Sequence, residues 1–327
     1  MSKINIGIMG LGTVGGSTYD ILTKNRDLIT ARTGIDYEIH RVLEIKQENI
    51  LKHGVDPAIV TDQVEKVIEA DDLDIVVEAI GGMEPVSTWM ITAMEHGISV
   101  VTPNKAAIAA QYDRFLGAAE KNGVQFRYEA SVGGGIPELT AIMESLAGNR
   151  FLAVSGIVNG TTNYILTQMG DFGLSYEEAL KDAQAKGFAE KDPTADVEGI
   201  DCANKLTILM KLCFDQYIKP DQIPRTGITQ ITKADLDAAA AKGCRVKLLV
   251  QAMLDEAGKL TYSVAPTELP KDHPLASVNN EFNAIYVTGD AVGEVMFYGK
   301  GAGPATGSAI VGDILHIMRD LTIGGRK

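Results

Sequence analysis

Cysteine, basic charge and long apolar runs are all scarce in this chain. Its three cysteines, Cys202, Cys213 and Cys244, are far apart and odd in number. That excludes a disulfide framework and a Cys-x-x-Cys motif, and the expectation is reduced thiols in a cytoplasmic protein. No apolar run is long enough to span a bilayer. The apolar residues from Ile4 onward belong to a strand-and-glycine pattern, so no secretory leader is expected. The five histidines are scattered and form no ligand cluster with the cysteines. There are 30 Lys and Arg against 43 Asp and Glu, a net charge of -13. That balance argues against nucleic-acid binding and against a polybasic membrane surface. It leaves an anionic cofactor open, because a local glycine loop can hold one. With 327 residues, 45% of them hydrophobic, the chain can bury a large core and form two domains.

What is present begins with a strand, Ile4 to Met9, running straight into Gly10-Leu-Gly12-Thr-Val-Gly15. A helix is expected from about Thr13 to Ile29. The Gly-x-Gly-x-x-Gly pattern between a strand and a helix predicts a dinucleotide loop. Gly10 allows the tight turn, Gly12 lets a pyrophosphate approach the backbone, and Gly15 lets helix and strand pack closely. Backbone N–H groups of Thr13, Val14 and Gly15 would meet the phosphates at the helix N-terminus. Tyr37 to Leu43 is the expected second strand. Glu44 at its end is placed either to accept from adenosine ribose hydroxyls or to stand as a solvated charge. An acid there leans towards NAD over NADP, with Arg41 and Lys46 close enough to blunt the inference.

Strands at Asp74 to Ile80, Ile98 to Thr102 and Val124 to Glu129 alternate with helices at Val86 to His96 and Ala106 to Glu120. The alternation predicts a doubly wound parallel sheet, with ligands beyond the carboxyl ends of its strands. Gly10, Glu44, Gly81 and Lys105 all fall at such ends. Lys105 at a helix start is electrostatically unwelcome, which marks it out. Ser131-Val-Gly-Gly-Gly-Ile-Pro137 is a glycine-rich bend, either a linker or a way to turn carbonyls towards a cation. Ile136 to Leu146 is expected as a helix. A strand from Arg150 to Val158 leads to Asn159-Gly-Thr-Thr-Asn163, where Thr161 and Thr162 are equally placed as caps or as substrate ligands. Ser175 to Glu178 matches a capping box. Further strands are expected at Arg245 to Leu254, Leu260 to Val264, Ala284 to Val287 and Val295 to Tyr298. A second glycine loop, Gly299 to Gly307, precedes a last helix.

The stretch Glu190 to Lys205 concentrates the chemistry. Five carboxylates and two lysines run into an apolar helix, Asp201 to Cys213. Asp201 and Lys205 are four apart and share one helix face. Clustered acids suit a substrate ammonium, and a lysine can give or take a proton. The plain alternative is a surface ion pair.

These pieces in this order resemble homoserine dehydrogenases, over nearly the whole chain. The resemblance rests on Gly10 to Gly15, Thr102-Pro-Asn-Lys105, Tyr128-Glu-Ala-Ser-Val-Gly133, Asn159-Gly-Thr161, Asp196-Val-Glu-Gly-Ile-Asp201 with Lys205, and Gly301-Ala-Gly303. It implies reversible NAD(P)-dependent hydride transfer between L-homoserine and L-aspartate 4-semialdehyde, in threonine and methionine biosynthesis. The implied fold is a Rossmann-type doubly wound sheet over residues 1–135, completed by 300–327. An α+β substrate-binding and dimerisation domain would occupy 136–299, making a homodimer. By resemblance Lys205 is the proton donor and acceptor, and Asp201 and Glu190 hold substrate with Asp196 assisting. Gly160 and Thr161 line the substrate site, Gly301 the cofactor site, and Lys105 is a second essential lysine. A Na+ or K+ site would use backbone oxygens of Glu129, Val132, Gly134 and Ile136.

Some positions depart from the family. Members often carry alanine where Lys191 stands and an aromatic hydroxyl where Phe188 stands. With Lys327 as its last residue, the chain is expected to lack an ACT regulatory domain and its threonine feedback. Two rivals remain at this point: another NAD(P)-dependent amino-acid dehydrogenase on the same fold, and a non-catalytic dinucleotide-binding sensor. The combination of Lys105, Asp201 and Lys205 speaks against the sensor, which needs no proton shuttle.

Overall fold

A computed structural model describes residues 3–323. The terminal Lys327 lies outside the described residues. The chain divides into two compact units, one running to Gly135 and resuming at Ala302, the other spanning Ile136–Gly301.

The first unit is built on six parallel strands: β1 (Ile4–Met9), β2 (Tyr37–Leu43), β3 (Val60–Thr61), β4 (Ile75–Glu78), β5 (Ser99–Val101) and β6 (Phe126–Arg127). Their order is β3-β2-β1-β4-β5-β6. β4 is buried at every position, as expected for a strand covered on both faces. The order reverses between β1 and β4, so the loops after these strands lie side by side at the switch point. Gly10 N–H donates to Leu43 O and Ala79 N–H to Met9 O, which ties the loops together. The helix Ala305–Ile323 returns from the far end of the chain and buries Ile310, Ile314 and Ile317 in this unit's core. It lies so close to the helix Thr13–Lys24 that a Cβ on Gly307 would come within 2.4 Å of Ser17 Oγ.

The second unit carries an antiparallel sheet of β7 (Phe151–Ile157), β8 (Cys244–Leu254), β9 (Leu260–Pro270), β10 (Phe282–Gly289) and β11 (Gly293–Lys300). Its order is β11-β10-β7-β8-β9. The helices Gly160–Phe172 and Ile200–Phe214 pack on this sheet. Met253, Met296 and Tyr298 remain exposed on its strands. The Ser175 capping box forms as expected.

Three local expectations are corrected. The helix from Thr13 breaks at Asn25, which leaves helical geometry, and resumes as Arg26–Thr33. Asparagine's short polar side chain competes with helical bonding and favours such ends. The strand expected to reach Glu129 stops at Arg127, and Glu129–Ser131 forms a 3-10 turn. There the Glu129 N–H is taken by the Asp313 carboxylate at 2.8 Å. The helix expected over Ile136 to Leu146 begins only at Leu139 and is π-helical over Ala141–Ser145. Pro137 supplies no N–H and disfavours helical geometry at Ile136. No helix among the described residues is long and apolar enough to cross a membrane.

Candidate active site

In the first unit, Gly10 takes φ +90°, and a Cβ on Gly15 would stand 1.9 Å from Gly10 O. Glycine is therefore required at both places for the loop to turn and the helix to seat against it. Gly12 precedes the helix Thr13–Lys24 and offers no side-chain cap, and the first turn contains no acid. That arrangement makes the opening N–H groups of Thr13, Val14 and Gly15 able to receive an anion.

A cavity of about 470 Å³ opens beside this loop, lined among others by Gly10, Gly12, Glu44, Lys46, Asp62 and Trp89. It is large enough to receive part of a dinucleotide, and its glycine floor admits close approach of a phosphate.

Glu44 is more deeply engaged than its position in the sequence suggests. Its carboxylate accepts from Leu11 N–H at 2.9 Å, Ile45 N–H at 2.8 Å, Lys46 N–H at 2.9 Å and Asn49 Nδ2 at 2.9 Å. Burial works to raise its pKa, but these donors outweigh it and hold the carboxyl below the usual range. The acid thus braces the glycine loop against the end of β2. Glu78 does the same for the next loop, accepting from Ile80 and Gly81 N–H at 2.7 Å each and from Thr102 Oγ1 at 2.6 Å. Gly81 at φ +82° follows directly. Asn104 caps the helix Lys105–Asn122 and donates to Gly82 O at 2.7 Å, so half-buried Lys105 is set at the first position of that helix. Arg41 is turned to Asp72 and the Lys66 carbonyl and does not line the cavity.

In the second unit, Asp201 and Lys205 lie on the buried face of the helix Ile200–Phe214. Lys205 Nζ stands 2.8 Å from Asp201 Oδ2 and donates to Val158 O at 2.6 Å. Burial pushes the lysine down, but the Asp201 charge and hydrogen bond more than offset it, and the net direction is upward. Asn159 sits at the N-cap of the helix Gly160–Phe172, where its Oδ1 accepts from Thr162 N–H at 2.9 Å. Its Nδ2 bridges Asp196 Oδ1 at 2.7 Å and Asp201 Oδ2 at 3.0 Å. The Asp196 carboxyl is raised, first by burial and then by the nearby Asp201 charge, against the opposing Asn159 bond. The result is a buried ammonium held by one carboxylate, with a second, partly desolvated acid oriented beside it by a neutral amide. Such a group can hand a proton to a developing alkoxide and take it back.

Comparison with known proteins decides the family. Residues 137–315 match the homoserine dehydrogenase family model, and residues 10–129 match the homoserine dehydrogenase NAD-binding domain. The chain belongs to the homoserine dehydrogenase family. It is 41% identical to the homoserine dehydrogenase of Bacillus subtilis, over 99% of this chain and 75% of that one. It is 42% identical to that of Corynebacterium glutamicum, over 99% and 74% respectively. Among solved structures, a homoserine dehydrogenase from Thiobacillus denitrificans superposes with a TM-score of 0.95 at 39% identity, covering 99% of this chain and 75% of that one. A hyperthermophilic archaeal homoserine dehydrogenase in complex with NADPH superposes at 0.80 and 26% identity, covering 100% and 99%. The protein is accordingly an NAD(P)-dependent oxidoreductase acting between L-homoserine and L-aspartate 4-semialdehyde.

Within this homoserine dehydrogenase, Asp196, Asp201 and Lys205 come together, whereas Glu190 does not join them. Glu190 is exposed, and it is its carbonyl that accepts, from Gln184 Nε2 at 3.1 Å. Thr161 Oγ1 donates to Phe188 O at 2.6 Å and does not serve as the cap. Phe188 packs its ring 4.8 Å from that of Tyr164. Gly160 packs tightly, since a Cβ there would meet Glu281 O at 2.7 Å. Gly301 falls in the second unit, where the missing side chain makes room for the Asn283 amide. Val132 and Gly134 belong to the first unit and Ile136 to the second. Among the described residues, no group of three or more His, Cys, Asp or Glu side chains could hold a metal. Sequence reasoning missed Asn159 as the bridge, Glu78 as the loop brace and Asp62 at the cavity. Asn159 alone left a signal, as the polar residue opening a helix.

Proposed function

We propose that Lys205 is the general acid and base of this homoserine dehydrogenase. The observation that carries the reading is its burial at 2.8 Å from Asp201 with a raised pKa. The nicotinamide supplies or accepts the hydride. As ammonium, Lys205 protonates the substrate oxygen and stabilises the alkoxide charge while the aldehyde is reduced. Its Asp201 and Val158 contacts use two of three N–H donors, leaving one for that oxygen. In the oxidative direction the amine must first lose its proton, so activity rises with pH. Asp196 and Asp201 offer carboxylates to the substrate ammonium, joined by Glu190 when substrate is bound, with Gly160 and Thr161 bordering the site. Lys105 is the second essential lysine. Lys205→Ala is expected to lower turnover roughly a hundredfold or more while leaving dinucleotide affinity unchanged. Near-normal turnover would remove Lys205 from the mechanism.

For the cofactor, we propose NAD over NADP. Glu44 and Asp62 line the cavity against the single cation Lys46, so a 2′-phosphate meets more negative than positive charge. Like charges about 4 Å apart cost roughly 1–4 kcal/mol in water-like to surface-like surroundings. Specificity constants for the two cofactors test this, and a preference for NADP would mean that Lys46 governs the pocket. Na+ or K+ would bind backbone oxygens of Glu129, Val132, Gly134 and Ile136. Rates in sodium, potassium and large organic cations test it, and equal rates would remove the cation. The proposed assembly is a cytoplasmic homodimer formed through the second unit, whose sheet leaves Met253, Met296 and Tyr298 exposed. Light scattering on wild type and Tyr298→Glu tests it, and a monomeric wild type would reject it.

A further inference from the structure

Lys247 on β8 is 2% exposed, and none of its hydrogen bonds goes to a carboxylate. Its Nζ donates to Asn163 Oδ1 at 3.0 Å, Asn279 Oδ1 at 3.1 Å and the Val278 carbonyl. Burying an ammonium among neutral oxygens is costly, and an apolar side chain would serve a sheet core better. Burial pushes Lys247 down to about 8, with Arg245 adding to the effect and Asp171 opposing it. A group kept at such a cost on a buried strand calls for a use.

The acceptors show where its force is applied. Asn163 is 1% exposed, and both ends of its amide are engaged. Its Oδ1 takes Lys247, and its Nδ2 donates to Val278 O at 3.2 Å and Phe282 O at 3.1 Å. Thr167 extends the lattice, donating to Asn163 O at 2.7 Å and accepting from Asn280 N–H at 3.0 Å. Asn163 stands one turn below Asn159, and its own N–H donates to Asn159 O at 3.2 Å. The ammonium therefore bolts the first turn of the helix Gly160–Phe172 to the segment 278–282. The cap of that turn is the amide that joins Asp196 to Asp201.

We infer that Lys247 is a positioning residue for the substrate site, acting through Asn163 to fix the Asn159 amide on the two acids. This rests on the reading of Asp196, Asp201 and Lys205 as that site. A residue that only held the sheet to the helix would alter stability and leave the substrate constants of the folded enzyme untouched.

Lys247→Met keeps an unbranched chain, one heavy atom shorter, and removes the donors. The folded variant is expected to lose roughly tenfold to a hundredfold in kcat/KM for homoserine, the scale of a small misplacement of reacting groups. Its KM for the dinucleotide should not change. Asn163→Ala leaves the ammonium two acceptors and should show the same selective loss. The double variant should be no worse than the more affected single one, because both act on one element. If Lys247→Met does not fold, Asn163→Ala decides alone. A normal homoserine kcat/KM in a folded variant, additive losses, or a raised dinucleotide KM overturns the inference. Asn159→Ala is measured in parallel. If it impairs homoserine use and Lys247→Met does not, the inference falls and the site reading stands. If Asn159→Ala changes nothing, the site reading falls and takes the inference with it.

Discussion

Asp201→Asn isolates charge from shape. Asparagine keeps the volume and one acceptor oxygen but removes the negative charge 2.8 Å from Lys205 Nζ. At an effective dielectric of about 20, that attraction is about 6 kcal/mol. Desolvation offsets part of it, and breaking one side of a buried pair costs about 3–5 kcal/mol. Most of what lifts Lys205 against its own burial comes from Asp201. In the variant burial prevails, so the lysine pKa falls and less ammonium is present near neutrality. Reduction of the semialdehyde then loses its acid, by a factor of roughly a hundred or more. Oxidation of homoserine needs the neutral amine, so its rising limb moves to lower pH. The stability effect has a definite sign. A raised lysine pKa stabilises the fold below the unfolded pKa, and that contribution is lost as pH rises through the folded value. The Tm deficit of the variant should therefore be largest near neutral pH and shrink in strong alkali. Both reaction directions, measured from about pH 6 to about pH 10 beside thermal melts, provide the assay. Superimposable pH profiles for wild type and Asp201→Asn would refute the coupling of Asp201 to Lys205.

Glu44→Gln should raise KM for both dinucleotides and cost about 2 kcal/mol or more of stability, since hydrogen bonds to a charged acceptor contribute about 1.5–3 kcal/mol each. A melt unchanged from wild type would mean that the four donors do not depend on the carboxylate. The same brace bears on Glu44→Arg, which is expected to disturb the loop as well as cofactor preference. Gly15→Ala places a Cβ 1.9 Å from Gly10 O, so backbone must move. Overpacking of this kind costs about 1–3 kcal/mol or more, and dinucleotide KM should rise with homoserine KM little changed. A variant with normal dinucleotide KM would show that the loop tolerates the shift.

Much of the protein was legible in its local patterns. The strand before Gly10, the helix after it and the strand–helix alternation to Lys105 follow from short-range periodicity and glycine placement. Those same features produce the parallel sheet observed. The Asp201 and Lys205 pairing was legible for the same reason, because a helix places residues four apart on one face. What local pattern could not carry is any contact between distant segments. Nothing near Glu44 announces that its carboxylate brackets Leu11, 33 residues earlier. Nothing near Asn159 shows that its amide will span two acids 37 and 42 residues later. The strand expected to reach Glu129 ends early because an aspartate 184 residues onward takes its N–H. Lys247 looks like any strand lysine until three separate oxygens close around it. Residue type and spacing determined which groups could do chemistry and which elements would carry them. The tertiary structure decided which groups meet, because hydrogen-bond partners and burial depend on segments that the sequence keeps far apart.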